Sequence, residues 1–212
     1  ELVEKIRALL RADSTAPIAL YDLLARLDCP LLVISAAYDD LLEQSLKNRK
    51  LFVVIYPNIW EKKCLVRYSD QQEMPPPCTP EELSSQKFLH RGYTVIYKLR
   101  GGFIDHDRET LLLSERDYLN FNQSMQQVPD YIRTKVKKRV LWFLGHHPES
   151  WEERLLVKSL QELRKEKAAP SLAVQEGVSD FARAFWEDSD VKEVHDLALK
   201  DFVQELIKEA AA

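Results

Sequence analysis

Cysteine is scarce in this chain: Cys29, Cys64 and Cys78 are an odd set with no CxxC spacing. That usage reads as free thiols in a reducing compartment, so a cytoplasmic location is expected. A zinc site built from Cys64, Cys78 and His90 would lack the close ligand pair of a metal half-site, and no metal is expected. Long apolar runs are missing as well. None approaches the ~20 residues of a membrane span, and no stretch reads as a signal peptide. Positive charge is not in excess: Lys and Arg number 30 against 34 Asp and Glu, a net charge of −4, so no global basic field draws in nucleic acid. GxSxG, HExxH and Walker loops are all absent, as are internal repeats and low-complexity segments. The chain opens at Glu1 rather than Met and is expected to be a fragment of a longer protein.

What is present is an ordinary globular composition, 45% hydrophobic and 30% charged over 212 residues, which suits one domain spanning 1–212. The stretch Leu31 to Glu43, LLVISAAYDDLLE, organises it. Its apolar start behind Pro30 predicts a buried strand over 31–35. Leu41, Leu42 and Leu46 predict a helix over 38–47. The turn between them, Ser35 to Asp39, is of the kind where open parallel sheets collect ligands. Upstream, Leu2, Ile6, Leu9 and Leu10 share one helical face, and Ser14 or Thr15 can cap a second helix with Pro17 in its first turn. Downstream, Leu51 to Tyr56 predicts a strand ended by Pro57. Periodicity then fails, and 57–92 reads as an irregular insert with a short strand over 64–68. Its adjacent Pro75, Pro76 and Pro77 fit neither helix nor central strand. Trp60 in it reads as a lid or a packing residue.

Strands are expected at 93–99, 140–145, 172–174 and 191–194, the second of them strongly buried. Helices are expected from Glu115, over 129–139, 151–167, 181–186 and 199–208. Ser114 with Asp117, and Ser150 with Glu153, read as capping boxes. Trp142, Trp151 and Trp186 read as core. Alternating strands and helices without an Asn-Gly hairpin signal predict an α/β fold with a mostly parallel sheet.

Certain strand ends carry a resemblance. ISAAYDDLLE (Ile34–Glu43), IYKLRGG (Ile96–Gly102), SERDYL (Ser114–Leu119) and WFLGHHPESWEER (Trp142–Arg154) occur in this order. They resemble the motifs ITTNYDDLLE, IYKLHGS, TESDYL and LFIGYSxxDWxxR of the bacterial, zinc-free sirtuin-like NAD-dependent family. The resemblance runs from about Ala12 to the C-terminus. It implies a doubly wound, three-layer, Rossmann-like NAD-binding fold. By position it implies cofactor contacts from Ser35, Tyr38, Asp39, Arg100, Gly101, Gly145 and His147, with NAD or ADP-ribose as the ligand.

The departures weigh more than the matches. Where the family has an Asn that places water and ribose, this chain has Ala37. Where the family has a His that acts as general base, it has Arg100. The family's adenosine-side Ser is replaced by His147, and no Gly-rich pyrophosphate loop precedes the second helix. Arginine stays protonated and accepts no hydrogen bond, so no catalytic residue is assigned. Asp39 reads first as a carboxylate at a helix start. The expectation is a catalytically degenerate sirtuin-like domain, a scaffold or nucleotide sensor beside fused partner domains in a signalling or defence protein, self-associating or not. The alternative is an NAD glycohydrolase or ADP-ribosyl transferase with a relocated base, His106, His146 or His147. Asp105, His106 and Asp107 otherwise form a solvated turn. Lys135, Lys137, Lys138 and Arg139 read as a solvated basic face.

Overall fold

The computed structural model describes residues 4–6, 8, 19–103, 110–124, 128–164 and 170–210. The Ser14, Thr15 and Pro17 helix start and the Asp105–Asp107 turn lie outside them, as does most of the first expected helix. The chain divides into two compact units, Glu1–Pro129 and Asp130–Ala212.

In the first unit, helix α1 (Ala19–Arg26) precedes strand β1 (Leu32–Ser35), helix α2 (Leu41–Leu46), and strands β2 (Phe52–Asn58) and β3 (Lys63–Tyr68). Helix α3 (Pro80–Ser84), a 3-10 turn over Phe88–Arg91, strand β4 (Thr94–Lys98) and helix α4 (Glu115–Ser124) complete it. The strands form one sheet in the order β1-β4-β2-β3. β4 pairs in parallel with both β1 and β2, and β3 is antiparallel to β2. Every residue of β4, TVIYK, is buried, as a strand flanked on both edges and packed on both faces requires. Ala25 of α1 and Leu42 and Leu46 of α2 close over Phe52, Val54, Tyr56, Leu65 and Ile96 to make the core.

Two expectations change here. The expected short strand is present at Lys63–Tyr68, but the rest of 57–92 also carries a helix and a 3-10 turn and is not irregular throughout. The hairpin β2–β3 was hidden because its turn is not Asn-Gly. Asn58 Oδ1 instead accepts from the N–H groups of Trp60 and Glu61 at 3.1 and 3.0 Å, and Lys62 takes φ 53°. Pro57 lies inside β2, opposite Cys64, not at its end. β2 pairs with β4 only from Phe52 to Ile55, while Cys64 N–H turns to Cys78 O. The missing proline N–H therefore costs no ladder bond. Trp60, at the hairpin tip, is exposed.

The second unit runs helix α5 (Asp130–Lys137), strand β5 (Trp142–Leu144), helix α6 (Trp151–Glu162), strand β6 (Ser171–Val174), helix α7 (Asp180–Asp188), strand β7 (Val191–His195) and helix α8 (Leu199–Ala210). Its strands form a parallel sheet, β5-β6-β7. Both units are α/β with parallel strands and interleaved helices, a Rossmann-like architecture. The strand at 140–145 is half exposed rather than strongly buried. Phe143 is buried, whereas Val140 and Trp142 are exposed. Trp142 stands on the opposite pleat face from Phe143 and meets the Phe202 ring edge-on at 6.0 Å. Trp151, also expected in the core, is exposed, and only Trp186 of these three is fully buried. Helix α6 ends at Glu162 with Leu163 as C-cap, short of the expected Lys167. Ser150 Oγ accepts from Glu153 N–H at 3.3 Å as a helix N-cap. No described helix is long and apolar enough to cross a membrane.

Candidate functional site

β1 and β4 are parallel neighbours, with Ser35 opposite Lys98. Leu99 N–H extends the ladder by one bond to Ser35 O at 2.8 Å. The chain therefore leaves both strands on the same edge of the sheet. The turn carrying Ser35, Ala37, Tyr38 and Asp39 stands beside the turn carrying Arg100 and Gly101. This is the carboxyl edge, where open α/β sheets bind ligands.

The first turn is braced from within. Ser35 Oγ accepts from Ala37 N–H at 3.3 Å, and Asp39 Oδ1 accepts from Leu41 N–H at 3.1 Å. Asp39 thus occupies the helix-start role read from the sequence. Tyr38 Oη donates to Leu112 O at 2.5 Å and lies 3.4 Å from Tyr118 Oη. Burial, then the hydrogen bond with Tyr118, push the Tyr38 phenol far above its ordinary pKa, against the lowering charge of Arg100. Tyr38 is consequently a neutral donor that ties β1's exit to the segment before α4.

In the second turn, Arg100 places its guanidinium 5.8 Å from the Tyr118 ring centroid, and its carbonyl accepts from Leu112 N–H at 3.0 Å. Gly101 has φ +76°, and a Cβ there would come within 2.0 Å of Thr110 O. A Cβ on Gly102 would come within 2.7 Å of Tyr56 Cε1. Thr110 Oγ1 accepts from Gly102 N–H at 3.2 Å and lies 3.3 Å from Gly102 O. Both glycines admit the close approach of the protein's own chain. Helix α4 opens on the expected capping box. Asp117 Oδ2 accepts from Leu113 and Ser114 N–H at 3.0 and 2.8 Å, and Ser114 Oγ accepts from Asp117 N–H at 3.2 Å.

Sequence reasoning passed over the buried pair beneath this edge. Lys98 Nζ lies 3.2 Å from Glu43 Oε1, with side-chain exposures of 2% and 4%, and it also donates to Asp39 O. The signal was present: a lysine closing the apolar run TVIY demands an internal partner. Glu43 also lines a cleft of about 670 Å³ with Asp40, Lys47, Lys50 and Arg67.

The other expected residues lie in the second unit, at the carboxyl ends of its strands. Gly145 has φ +73° and is exposed, and among the described residues only Leu199 Cδ2 would come within 4 Å of a Cβ there, at 3.9 Å. His147 is exposed. His146 turns inward, with Nδ1 2.6 Å from Glu153 Oε2, so the adjacent histidines have unlike surroundings. Arg154 Nη1 donates to Pro148 O and Glu149 O at 2.9 and 2.8 Å, fixing the loop after β5. A polar chain missed in the sequence runs beside it. Trp186 Nε1–H donates to Gln175 Oε1 at 2.9 Å, and Gln175 Nε2 and Ser179 Oγ each lie 3.4 Å from Glu149 Oε1. Its only sequence cue was Gln175's place directly after the apolar run 172–174. Among the described residues no group of three His, Cys, Asp or Glu could hold a metal. His106 lies outside the described residues.

The comparison with curated proteins gives no match. A model of the SIR2-like domain matches residues 31–194, which takes in both strand-end clusters and most of the chain, and this chain therefore belongs to the SIR2-like family.

Proposed function

We propose that this SIR2-like domain does not hydrolyse NAD and works as a scaffold, or as a nucleotide-sensing module, beside other protein domains. The supporting observation is the placement of Ala37 and Arg100 on neighbouring, hydrogen-bonded strand ends, at the positions where the resembled motifs carry Asn and His. NAD, when bound, supplies a glycosidic bond to a leaving nicotinamide. Breaking it with these motifs needs a placed water and a base on the ribose hydroxyl. The Ala37 methyl holds no water, and the Arg100 guanidinium has five donors and no acceptor. Loss of a general base alone removes a factor of ~10² to 10⁴ in rate. Arg100 can still clamp a carboxylate or phosphate, which is what a sensor would keep. The scaffold role needs fewer surviving groups, and it is the preferred one.

Incubation of the protein with NAD tests this: nicotinamide release should not exceed the blank. A thermal-shift titration with NAD and ADP-ribose then separates the two roles, because a ligand of the folded state raises the melting point with its concentration. A flat response means scaffold; a rising one means sensor.

A second reading is supported by one contact. His146, oriented by Glu153 at 2.6 Å, has the carboxylate-held imidazole of a general base. On this reading the chain is an NAD glycohydrolase or ADP-ribosyl transferase with a relocated base. Turnover that vanishes in His146→Ala or His147→Ala would establish it.

A further inference from the structure

We propose that Cys64 and Cys78 close to a reversible disulfide that staples the proline-rich segment to the edge of the first unit's sheet. Cys64 sits in the edge strand β3, and Cys78 forms an isolated antiparallel bridge with it. The two residues exchange both backbone bonds, Cys64 N–H to Cys78 O at 2.8 Å and Cys78 N–H to Cys64 O at 3.0 Å. A pair of this kind has its Cα atoms about 5.5 Å apart, inside the range of roughly 4.4–6.8 Å that disulfides span. Its side chains leave the same face of the ladder, with Cβ atoms about 4.5–5.5 Å apart. Hydrogen-bonded pairs lie at the wide end of that range, so closure has to draw the Cβ atoms together by roughly 1–2 Å. The Cys78 thiol already turns towards its partner, with Sγ 3.6 Å from Cys64 O.

Both thiols are free, and Cys78 is the accessible one: Cys64 is buried and Cys78 half-buried. The backbone around Cys78 is held on both sides. Met74 packs on the core cluster, and Thr79 is the N-cap of α3 in a capping box with Glu82. The pair is thus pre-positioned by contacts that do not depend on the bond.

The step needs a disulfide oxidant such as glutathione disulfide. The Cys78 thiolate attacks one glutathione sulfur, the S–S bond breaks, and one glutathione thiolate leaves. The Cys64 thiolate then attacks Cys78 Sγ and expels the second glutathione. The protein loses two protons and two electrons, and two glutathione thiols are formed. Burial raises both thiols, Cys64 up to about 12 and Cys78 also above its ordinary value; the greater accessibility of Cys78 makes it the first attacker, and closure is faster at higher pH.

The test is peptide mapping of the full chain after treatment with glutathione disulfide, alkylation of remaining thiols under denaturing conditions, and trypsin. Cleavage after Lys63, Arg67 and Lys87 leaves Cys64 and Cys78 on separate peptides, 64–67 and 68–87. The expected result is these two peptides joined, lighter than their sum by two hydrogens, and released by dithiothreitol. The oxidised protein should melt at a higher temperature than the reduced one, with the difference abolished in Cys78→Ser. Alkylated Cys64 beside glutathionylated Cys78, or a bridge running only to the exposed Cys29, would overturn the proposal.

Discussion

Lys98 Nζ lies 3.2 Å from Glu43 Oε1, and neither side chain is more than 4% exposed. The pair joins the end of the central strand to the helix that follows β1. Lys98 also holds the carbonyl of Asp39, so one ammonium group fixes the turn between them. Removing one partner leaves a buried charge without its counterpart, which costs about 3–5 kcal/mol, whereas replacing both by apolar groups is often neutral. Lys98→Met or Glu43→Leu alone should each lower stability by that amount. The double variant should recover most of it. Urea unfolding of the three variants against wild type checks this; additive losses would show that the residues do not act as a pair.

Asp117 gives a pH dependence with a definite sign. Burial raises its pKa, but the hydrogen bonds from Ser114 and Leu113 outweigh that and hold the carboxyl below the ordinary range. A folded-state pKa below the unfolded one stabilises the protein above the unfolded value of about 3.9, and the gain is lost as pH falls through the folded value. Asp117→Asn should therefore be less stable than wild type near neutrality, and the gap should narrow below about pH 4. Urea midpoints measured from pH 7 downwards give the comparison. A gap that stays constant with pH would show that the carboxylate's charge contributes nothing.

Gly101 and Gly145 share a positive φ, +76° and +73°, but not a neighbourhood. A methyl group on Gly101 meets Thr110 O, whereas one on Gly145 meets, among the described residues, only the end of a leucine. Gly145→Ala should cost about 1–2 kcal/mol, the strain of a left-handed residue. Gly101→Ala should cost clearly more, because backbone has to move. Thermal melting ranks them, and equal costs would contradict the close approach seen at Thr110.

The Ala37 and Arg100 positions can be tested by gain of function. In Ala37→Asn with Arg100→His, an amide and an imidazole return to the neighbouring ends of β1 and β4. If those positions alone block hydrolysis, nicotinamide release should rise over wild type by the factor of ~10² to 10⁴ that a general base supplies. A folded double variant, checked by its melting curve, that remains silent would show that the deficit lies elsewhere.

The sequence by itself determined whatever depends on residues close along the chain. The strand–turn–helix at 31–46 follows from an apolar run and leucines at helical spacing. The N-caps at Ser114 and Ser150 follow from side chains that reach only three residues ahead. The absence of a base from position 100 is a property of the residue itself. Three of the resembled motifs fall at the ends of β1, β4 and β5 and SERDYL opens α4, and the SIR2-like match spans them.

Tertiary structure alone decided what depends on partners distant in sequence. Pro57 is tolerated inside β2 because pairing with β4 stops at Ile55. Trp142 is exposed because its pleat face differs from that of Phe143, although both belong to one apolar run. Gly101 and Gly102 are fixed by Thr110 and Tyr56, and Lys98 by a glutamate 55 positions earlier in the numbering of the pair. A hydrophobic pattern specifies that a residue is to be covered. Which group covers it is settled only when strands far apart in the chain come into register, and that register is what set Ala37 beside Arg100 and Cys64 against Cys78.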